Sequence, residues 1–451
     1  MNASEIRIKN APLLPLSDLR AAVSGGKLDA VLDALGGKGG ADTQRARVLA
    51  LCDTFAATYG ADRDAALFTV SGRSELSGNH TDHNHGRVVA CSISLDMLGV
   101  ASPRADGVIR LSSAGFGEDV VDIGTYAKPD PEKKGSSASL IAGVCAGFKK
   151  EGYAVGGFDA CVVSDVLKGS GLSSSAAFED MVGTILSHLY NDGKVDEVSV
   201  AKLSQYAENV FFGKPCGLMD QVACAVGGIV AIDFADPSKP VITPVPFDMT
   251  GAGYHLCIVD TGGNHADLTD DYASVPAEMK AVAAAFGKEV LRDVDMADFV
   301  NAMPTLRERF GDRAVLRAMH FFTENDRVLR QTGALMDACA AADTAARDEA
   351  LSRFFDGVMA SGRSSFCYLQ NVYTTKNVTE QGLSLALSVC DNLLSDNLAA
   401  FRVHGGGFAG TIQAWVYADA VDDFVSAMDA VFGRGATVDL RVRPVGAARI
   451  G

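Results

Sequence analysis

A glycine- and serine-rich run has the residue types that bind phosphate groups. It reads Gly169, Ser170, Gly171, Leu172, Ser173, Ser174, Ser175, and a segment of helical composition follows it. Glycines let a ligand approach the backbone, serine hydroxyls donate to phosphate oxygens, and the free N–H groups of a helix start attract an anion. A turn with a serine N-cap is the alternative, although it explains one serine rather than three. Since no Lys-Ser or Lys-Thr pair follows, the run is not a Walker A loop, and we predict a phosphate loop of another type.

A polar run at residues 72–86 combines an arginine, carboxylates, amides and histidines. Each hydroxyl of a sugar both donates and accepts hydrogen bonds, so short polar side chains on a fixed loop can recognise it. The spacing of His80, Asp82, His83 and His85 also resembles a metal-ligand cluster, and a solvated turn would have the same composition. We therefore predict a polar binding site here, with the metal cluster and the simple turn as alternatives.

Two carboxylates form a third candidate group. Glu208 lies in a predicted helix at residues 198–212, and Asp220 follows in the run 216–221. Both neighbourhoods are largely apolar, which suggests one metal ligand and one proton acceptor. Taken singly, Glu208 would be an exposed helix charge and Asp220 a capping residue, so this interpretation depends on the two runs described above.

The apolar pattern predicts the elements that position these residues. Strands are predicted at 67–70, 88–93, 158–166 and 255–260, helices at 176–189, 198–212 and about 313–359, and a strand, loop, strand, helix and strand at 400–443. The run 405–410 matches the dinucleotide fingerprint in form, but a strand-like segment follows it, so we predict a glycine-rich hairpin. We divide the chain into a helical N-terminal extension (1–60), a first lobe (61–245) and a second α+β lobe (246–451).

Composition limits the class of partner. The 451 residues, 48% of them hydrophobic, are typical of a globular protein with two or three domains. A net charge of −16 disfavours nucleic acids and anionic membranes as partners. Residues 1–19 lack the apolar stretch of a secretory signal, and no later segment is long enough to cross a bilayer. Since the ten cysteines form no C-x-x-C pair, we expect reduced thiols and a cytoplasmic protein.

Together these segments resemble galactokinase, one of a group of small-molecule kinases that also contains homoserine and mevalonate kinases. The resemblance covers about residues 67–443. Residues 72–84 are similar to the galactokinase sugar-site signature, and residues 169–177 and 403–410 resemble the second and third signatures of the group. The three motifs occur in the order that the family has.

The resemblance implies an α+β fold of two lobes with the active site in the cleft between them. It implies ATP-dependent phosphorylation of a galactose-like sugar at its C1 hydroxyl, with Mg²⁺ as cofactor. Asp220 would accept the hydroxyl proton beside Arg73, and Ser175 and Glu208 would hold Mg²⁺. The phosphate loop and Asp220 must then meet in one cleft.

Five positions correspond to the sugar site of the family. They are Asn79, His80, Asp82, Gly217 and Tyr272, the last of which follows Asn264 and His265. Galactokinases usually carry a glutamate at the position of Asn79, where it contacts the C6 hydroxyl. The amide therefore leaves galacturonate, N-acetylgalactosamine and arabinose open as alternatives to galactose.

Other departures from the family pattern concern packing. Leu167 replaces a proline, and Ser74 and Glu75 replace valine and asparagine, which we expect to affect local packing more than chemistry. A sugar- and ATP-binding regulator without catalysis is the alternative from another class, but the presence of Asp220 and Arg73 disfavours it. The oligomeric state and the role of the extension stay open.

Overall fold

The computed structural model describes residues 3–9, 11–36, 40–125, 128–166, 171–214, 216–263, 268–394 and 399–451. Within them the helices are α1 (Ala3–Ile6), α2 (Leu16–Ser24), α3 (Asp29–Leu35), α4 (Gly40–Tyr59), α5 (Ser137–Lys150), α6 (Ser174–Tyr190), α7 (Glu197–Tyr206), α8 (Met219–Val226), α9 (Thr269–Ala285), α10 (Met296–Ala340), α11 (Thr344–Ser364), α12 (Gly382–Leu394) and α13 (Val421–Phe432). The strands are β1 (Leu14–Pro15), β2 (Asp64–Ser77), β3 (Arg87–Arg104), β4 (Val108–Ser113), β5 (Gly117–Asp122), β6 (Gly157–Ser164), β7 (Ile229–Asp233), β8 (Val241–Val245), β9 (Tyr254–Asp260), β10 (Ala400–Val403), β11 (Thr411–Tyr417), β12 (Thr437–Leu440) and β13 (Ala448–Arg449). Single turns of 3-10 or π-helix occur at Asp82–Asn84, Pro131–Lys133, Ala207–Phe212, Leu291–Asp293, Ser365–Leu369 and Ala418–Ala420.

The larger sheet contains the first part of the polar run, in β2, and the strand that precedes the predicted phosphate loop, β6. Across the described residues its strands follow the order β1-β2-β3-β6-β4-β5, with β13 beside β2, β7 beside β3 and β8 beside β7. Strands β4 and β6 run parallel, and the other neighbours are antiparallel. Strand β13 returns the end of the chain to this sheet, where it pairs with β2. The three-part division of the chain stays a prediction.

Strand β2 is buried on both faces. Its residues Ala66, Phe68 and Val70 belong to a core shared with α5 to α8, while Ala65 and Leu67 belong to a core shared with α2 to α4. Successive side chains of a strand point to opposite faces, so the N-terminal helices cover the face that α5 to α8 leave open. The extension is therefore part of the first core, a role that its sequence alone did not indicate.

The smaller sheet carries the glycine-rich hairpin. Its strands, all antiparallel, follow the order β10-β11-β9-β12 in the part of the chain that the structure describes. The hairpin joins β10 to β11, which confirms the predicted strand pairing around residues 405–410. Trp415 in β11 is fully buried against Phe354 and Phe355, so it belongs to the core.

Two element predictions were wrong in extent. The polar run does not begin as a loop, because β2 continues to Ser77 while it stays buried and paired with β3. The helical region at 313–359 is two helices, α10 and α11, and α10 is itself broken at Gly311, whose φ is 81°. A glycine adopts this angle readily, and the angle cannot continue a helix.

A buried ion network ties the extension to the sheet. Asp96 and Arg443 are fully buried and lie 2.8 Å apart. Arg47, from α4, donates to the other oxygen of Asp96 at 2.8 Å and reaches Asp165, just before the phosphate loop, at 3.1 Å. One carboxylate therefore balances two guanidinium groups from distant parts of the chain.

Asp96→Asn is expected to lower the free energy of unfolding by about 3–5 kcal/mol, because it leaves buried guanidinium charge uncompensated. Asp326→Asn is the matched control, since the pair of Asp326 with Arg330 is exposed and such pairs contribute about 0–1 kcal/mol. Urea unfolding of both variants measures the difference. Equal losses of stability would contradict the assignment of the network as structural.

The described residues include no helix with both the length and the apolar composition that crossing a bilayer requires. The ten cysteines are free thiols, and seven of them are buried.

Candidate active site

Arg73 and Asp220 form an ion pair at the centre of the site. Arg73, in β2, places Nε and Nη2 each 2.7 Å from Oδ1 of Asp220, which lies in the first turn of α8. The third nitrogen of the guanidinium, Nη1, donates to the carbonyl of Gly171 in the phosphate loop. Arg73 is buried, so this one side chain fixes the position of Asp220 relative to the phosphate loop.

The local backbone explains why Arg73 reaches this loop. The pairing register of β2 with β3 shifts between Ser71 and Arg73, which is a bulge. The N–H of Arg73 donates to the carbonyl of Leu172 at 3.2 Å, and a Cβ at Gly72 would lie only 3.0 Å from that oxygen. Glycine at position 72 therefore permits the close approach of the strand to the loop.

Ser173 links the phosphate loop directly to Asp220. Its hydroxyl donates to Oδ2 of Asp220 at 2.6 Å, and its φ of 63° turns the chain just before α6 begins at Ser174. Burial alone would raise the pKa of Asp220, but the charge of Arg73, the bond from Ser173 and the charge of Lys214 hold it below its ordinary value. Asp220 is thus ionised at neutral pH, and the expected meeting of the loop with Asp220 is confirmed.

Glu208 lies on a π-helical turn, Ala207–Phe212, that continues α7. Its carboxylate is buried and accepts three hydrogen bonds: from the hydroxyl of Ser175 at 3.2 Å, from Nζ of Lys214 at 3.0 Å and from Nε2 of Gln221 at 2.8 Å. The single-turn π-helix rotates Glu208 toward α6, and such turns are frequent at functional sites. The two predicted metal ligands, Ser175 and Glu208, are therefore in contact.

The oxygens at this position suit a hard cation. A carboxylate and a hydroxyl are ligands that Mg²⁺ prefers, and the ammonium of Lys214 shows that a positive charge fits beside Glu208. The described residues contain no group of three or more His, Cys, Asp or Glu placed to hold a metal ion. The polar run gives no support to its alternative interpretation as a metal cluster.

Gly171, Leu172, Ser173, Ser174 and Ser175 thus lie just before and at the start of α6. Two further predicted phosphate-loop residues, Gly169 and Ser170, lie outside the described residues, as do Leu167, Asn264 and His265. Opposite the loop, a Cβ at Gly171 would lie 3.4 Å from Nδ1 of His404, at the end of β10. Both lobes therefore contribute to the site.

Asp82 and Gly217 lie side by side. Asp82 belongs to a short 3-10 turn, and a Cβ at Gly217 would overlap its Oδ2. Gly217 lies just before α8, the helix that carries Asp220, so the carboxylate of Asp82 lies near the start of α8. Two predicted sugar-site residues are brought together here, on the segment that leads into the helix of Asp220.

The glycine-rich hairpin contacts two other residues predicted for the sugar site, His80 and Tyr272. A ring nitrogen, Nε2 of His80, lies 3.0 Å from the carbonyl of Gly406, and the hydroxyl of Tyr272, in α9, donates to the carbonyl of Gly407 at 2.8 Å. Burial lowers the pKa of His80 to about 4, so its ring is neutral at physiological pH. Close packing explains the glycine at position 406, where a Cβ would lie 2.5 Å from the ring of Tyr272.

Asn79 uses its whole amide within the protein. Its Nδ2 donates to Oε1 of Glu75 at 3.1 Å and to the carbonyl of Gly405 at 2.7 Å. Its Oδ1 accepts from Asn371 at 2.8 Å and from Ser365 at 3.4 Å. An amide has two donors and two acceptor positions, so none is left over in this conformation. The contact of Asn79 with a sugar stays a prediction.

Known proteins resemble the chain in the segments that build this site. The family described as the galactokinase galactose-binding signature matches residues 53–103, and the family described as the GHMP kinases N terminal domain matches residues 139–228. A galactokinase of Streptomyces coelicolor is 32% identical over 385 residues, which cover 84% of this chain and 92% of the relative. The chain belongs to the galactokinase family. A galactokinase of Actinobacillus pleuropneumoniae is 30% identical over 82% of this chain and 89% of its own.

Solved structures agree with the family. The Lactococcus lactis galactokinase complexed with galactose superposes with a TM-score of 0.72 at 25% identity and covers 89% of this chain and 100% of that one. A mevalonate kinase structure, at 13% identity and a TM-score of 0.56, shares the fold. The predicted two-lobed small-molecule kinase fold is confirmed, and this galactokinase family member is a sugar kinase.

The site contains residues that the sequence did not single out. Gln221 donates to Glu208 and, at 3.3 Å, to the buried carboxyl of Glu179 in α6, whose pKa burial and the charge of Glu208 raise to about 10. Lys214 was likewise missed. Gln221 belongs to the run 216–221, which was named only for its carboxylate Asp220, whereas Glu179 and Lys214 had no signal of their own.

Proposed function

We propose that the chain transfers the γ-phosphoryl group of ATP to the C1 hydroxyl of galactose. The observation that carries the proposal is the position of Asp220, which contacts Arg73 of the sugar-loop strand and Ser173 of the phosphate loop at once. An alcohol bound at Asp220 would lie next to a phosphate bound at the start of α6. Membership of the galactokinase family supports ATP and a sugar as the two substrates.

Asp220 orients the sugar hydroxyl and accepts its proton as the new P–O bond forms. Because the pKa of Asp220 lies below its ordinary value, the carboxylate is already ionised at neutral pH and needs no prior deprotonation. The sugar hydroxyl takes the place of the Ser173 hydroxyl at Oδ2, since Arg73 keeps Oδ1 occupied. Arg73 also offers positive charge beside the transferred group.

The nucleotide phosphates lie against the predicted loop 169–175 and the first N–H groups of α6. Ser175 and Glu208 would hold Mg²⁺, which neutralises the charge of the β- and γ-phosphates when bound. The oxygens of these two residues face each other at 3.2 Å, so both belong to one site.

The sugar itself lies between Asp82 and the glycine-rich hairpin in this proposal. Asp82 accepts hydrogen bonds from hydroxyl groups, and Gly217 keeps the space beside it free of a side chain. His80 and Tyr272 reach the same region, where they now bind the hairpin carbonyls. Asn79 holds the hairpin at Gly405 and contributes to the sugar at C6 only if these bonds rearrange.

Gly217→Ala is expected to raise the KM for the sugar by about tenfold or more, because the new methyl group displaces Asp82, and a lost hydrogen bond to a charged group costs about 1.5–3 kcal/mol. The KM for ATP should change little. Gly333→Ala in α10 is the matched control, since nothing lies within 4 Å of a Cβ there. Steady-state kinetics with each substrate varied in turn measures both constants, and an unchanged KM for the sugar would remove Asp82 from the sugar site.

A panel of sugars tests the proposed acceptor. The purified protein is assayed with Mg-ATP and galactose, galacturonate, N-acetylgalactosamine, arabinose and glucose, and kcat/KM is compared. Galactose is expected to give the highest value. A higher value for another sugar would correct the substrate, and absence of turnover with every sugar would favour the non-catalytic regulator.

A further inference from the structure

Lys214 places a cation at the position proposed for the metal. Its Nζ lies 3.0 Å from Oε1 of Glu208, the same oxygen that accepts the hydroxyl of Ser175. Glu208 is buried, whereas the side chain of Lys214 is 59% exposed. A buried carboxylate needs a compensating charge, and here a partly exposed lysine side chain provides it.

The backbone directs Lys214 to this position. The N–H groups of Gly213 and Lys214 both donate to the carbonyl of Glu208, at 2.9 and 3.1 Å, which ends the π-helical turn. Gly213 adopts a φ of 83°, a left-handed angle that folds the chain back on the helix end. The side chain of Lys214, the next residue, is therefore directed back toward the carboxylate of Glu208.

Lys214 also lies near the reacting groups. Its charge is among those that lower the pKa of Asp220, although Arg73 has the larger influence. An ammonium on a flexible stem can turn from Glu208 toward an anion placed between Glu208 and Asp220. The proposed position of the transferred phosphoryl group is in that space.

We propose that Lys214 occupies the place of the metal at Glu208 whenever no metal is bound, and that it moves to the phosphates of the nucleotide when the metal binds. The inference rests on the proposed function, because that function assigns the metal to Glu208. Lys214 then has two opposite effects. It competes with the free metal ion for Glu208, and it binds the metal–nucleotide complex.

Lys214→Met tests both effects. Without nucleotide, the affinity for Mn²⁺, measured by electron paramagnetic resonance, should rise about two- to fivefold. This is the change in affinity that corresponds to the loss of one partly exposed ion pair. The KM for the ATP complex should rise about tenfold, because a charge-assisted bond to phosphate is lost, while the KM for galactose stays the same. A residue that only supported the fold would not strengthen one ligand and weaken the other. Lys214→Arg should restore the KM for the ATP complex in large part.

Two further variants separate the causes. Lys194→Met is the matched control, because Lys194 pairs at 2.9 Å with Asp192 in an exposed position, and it should change neither constant. Glu208→Gln should abolish Mn²⁺ binding. If it does, and Lys214→Met leaves the Mn²⁺ affinity unchanged or lowers it, the role of Lys214 is overturned while the metal site stands. If Glu208→Gln binds Mn²⁺ like the parent protein, or if Mn²⁺ binds neither protein, both the metal site and the inference are overturned.

Discussion

Asp220→Asn is expected to lower kcat by about 10²- to 10⁴-fold, the usual contribution of a positioned proton acceptor. Asparagine keeps the size of the side chain but cannot accept the proton of the sugar hydroxyl. Binding of galactose, followed by calorimetry, should change little, because the other proposed sugar contacts are intact. The variant also leaves Arg73 without its charge partner, so its thermal unfolding must be measured to show that it is folded. Full turnover in a folded Asp220→Asn protein would remove Asp220 from the mechanism.

Arg73→Gln is expected to lower kcat/KM by about 10³-fold or more, because it removes positive charge beside the transferred phosphoryl group. The pH dependence should change as well. In the parent protein Arg73 lowers the pKa of Asp220, so the ionised base persists below the ordinary carboxyl range. Without Arg73, burial raises that pKa, and the acidic limb of the kcat/KM profile should move to higher pH.

Arg353→Gln is the matched control for Arg73→Gln. Arg353 pairs at 2.9 Å with Asp337 on the exposed sides of α10 and α11, and its loss should leave the profile unchanged. A profile of Arg73→Gln with its acidic limb at the same pH as the parent protein would mean that Asp220 is not the group that titrates.

The phosphate loop and the helix after it could be predicted from sequence because their signal is local. Glycines and serines followed by an apolar pattern of helical period indicate this order without knowledge of the rest of the fold. The helix predicted at 176–189 is α6, Ser174–Tyr190, and the strand predicted at 158–166 is β6, Gly157–Ser164. The contact between Arg73 and Asp220 was predictable only through the resemblance to galactokinases, since the two residues are 147 positions apart.

Contacts between distant residues account for what was missed. Glu75, which was expected to affect local packing more than chemistry, forms a buried ion pair at 3.0 Å with Arg402, which is 327 positions away. Asn79 is likewise bound to Asn371 and Gly405, and no pattern near residue 79 indicates them. Lys214 reaches Glu208 only because a π-helical turn separates them, and sequence periodicity predicts an ordinary helix there. The extension covers β2 because that strand is apolar on both faces. A strand with two apolar faces must be covered on both sides, so this pattern could have predicted a covering element.

The position of the new phosphate on the sugar tests the central claim most directly. Galactose is incubated with the purified protein and Mg-ATP, and the product is examined by proton-coupled ³¹P NMR. A single sugar phosphate whose phosphorus couples to the anomeric proton, formed at the rate of ADP release, is the predicted result. A phosphate on C6, or ADP release without any sugar phosphate, would contradict the claim that Asp220 directs the C1 hydroxyl to the nucleotide.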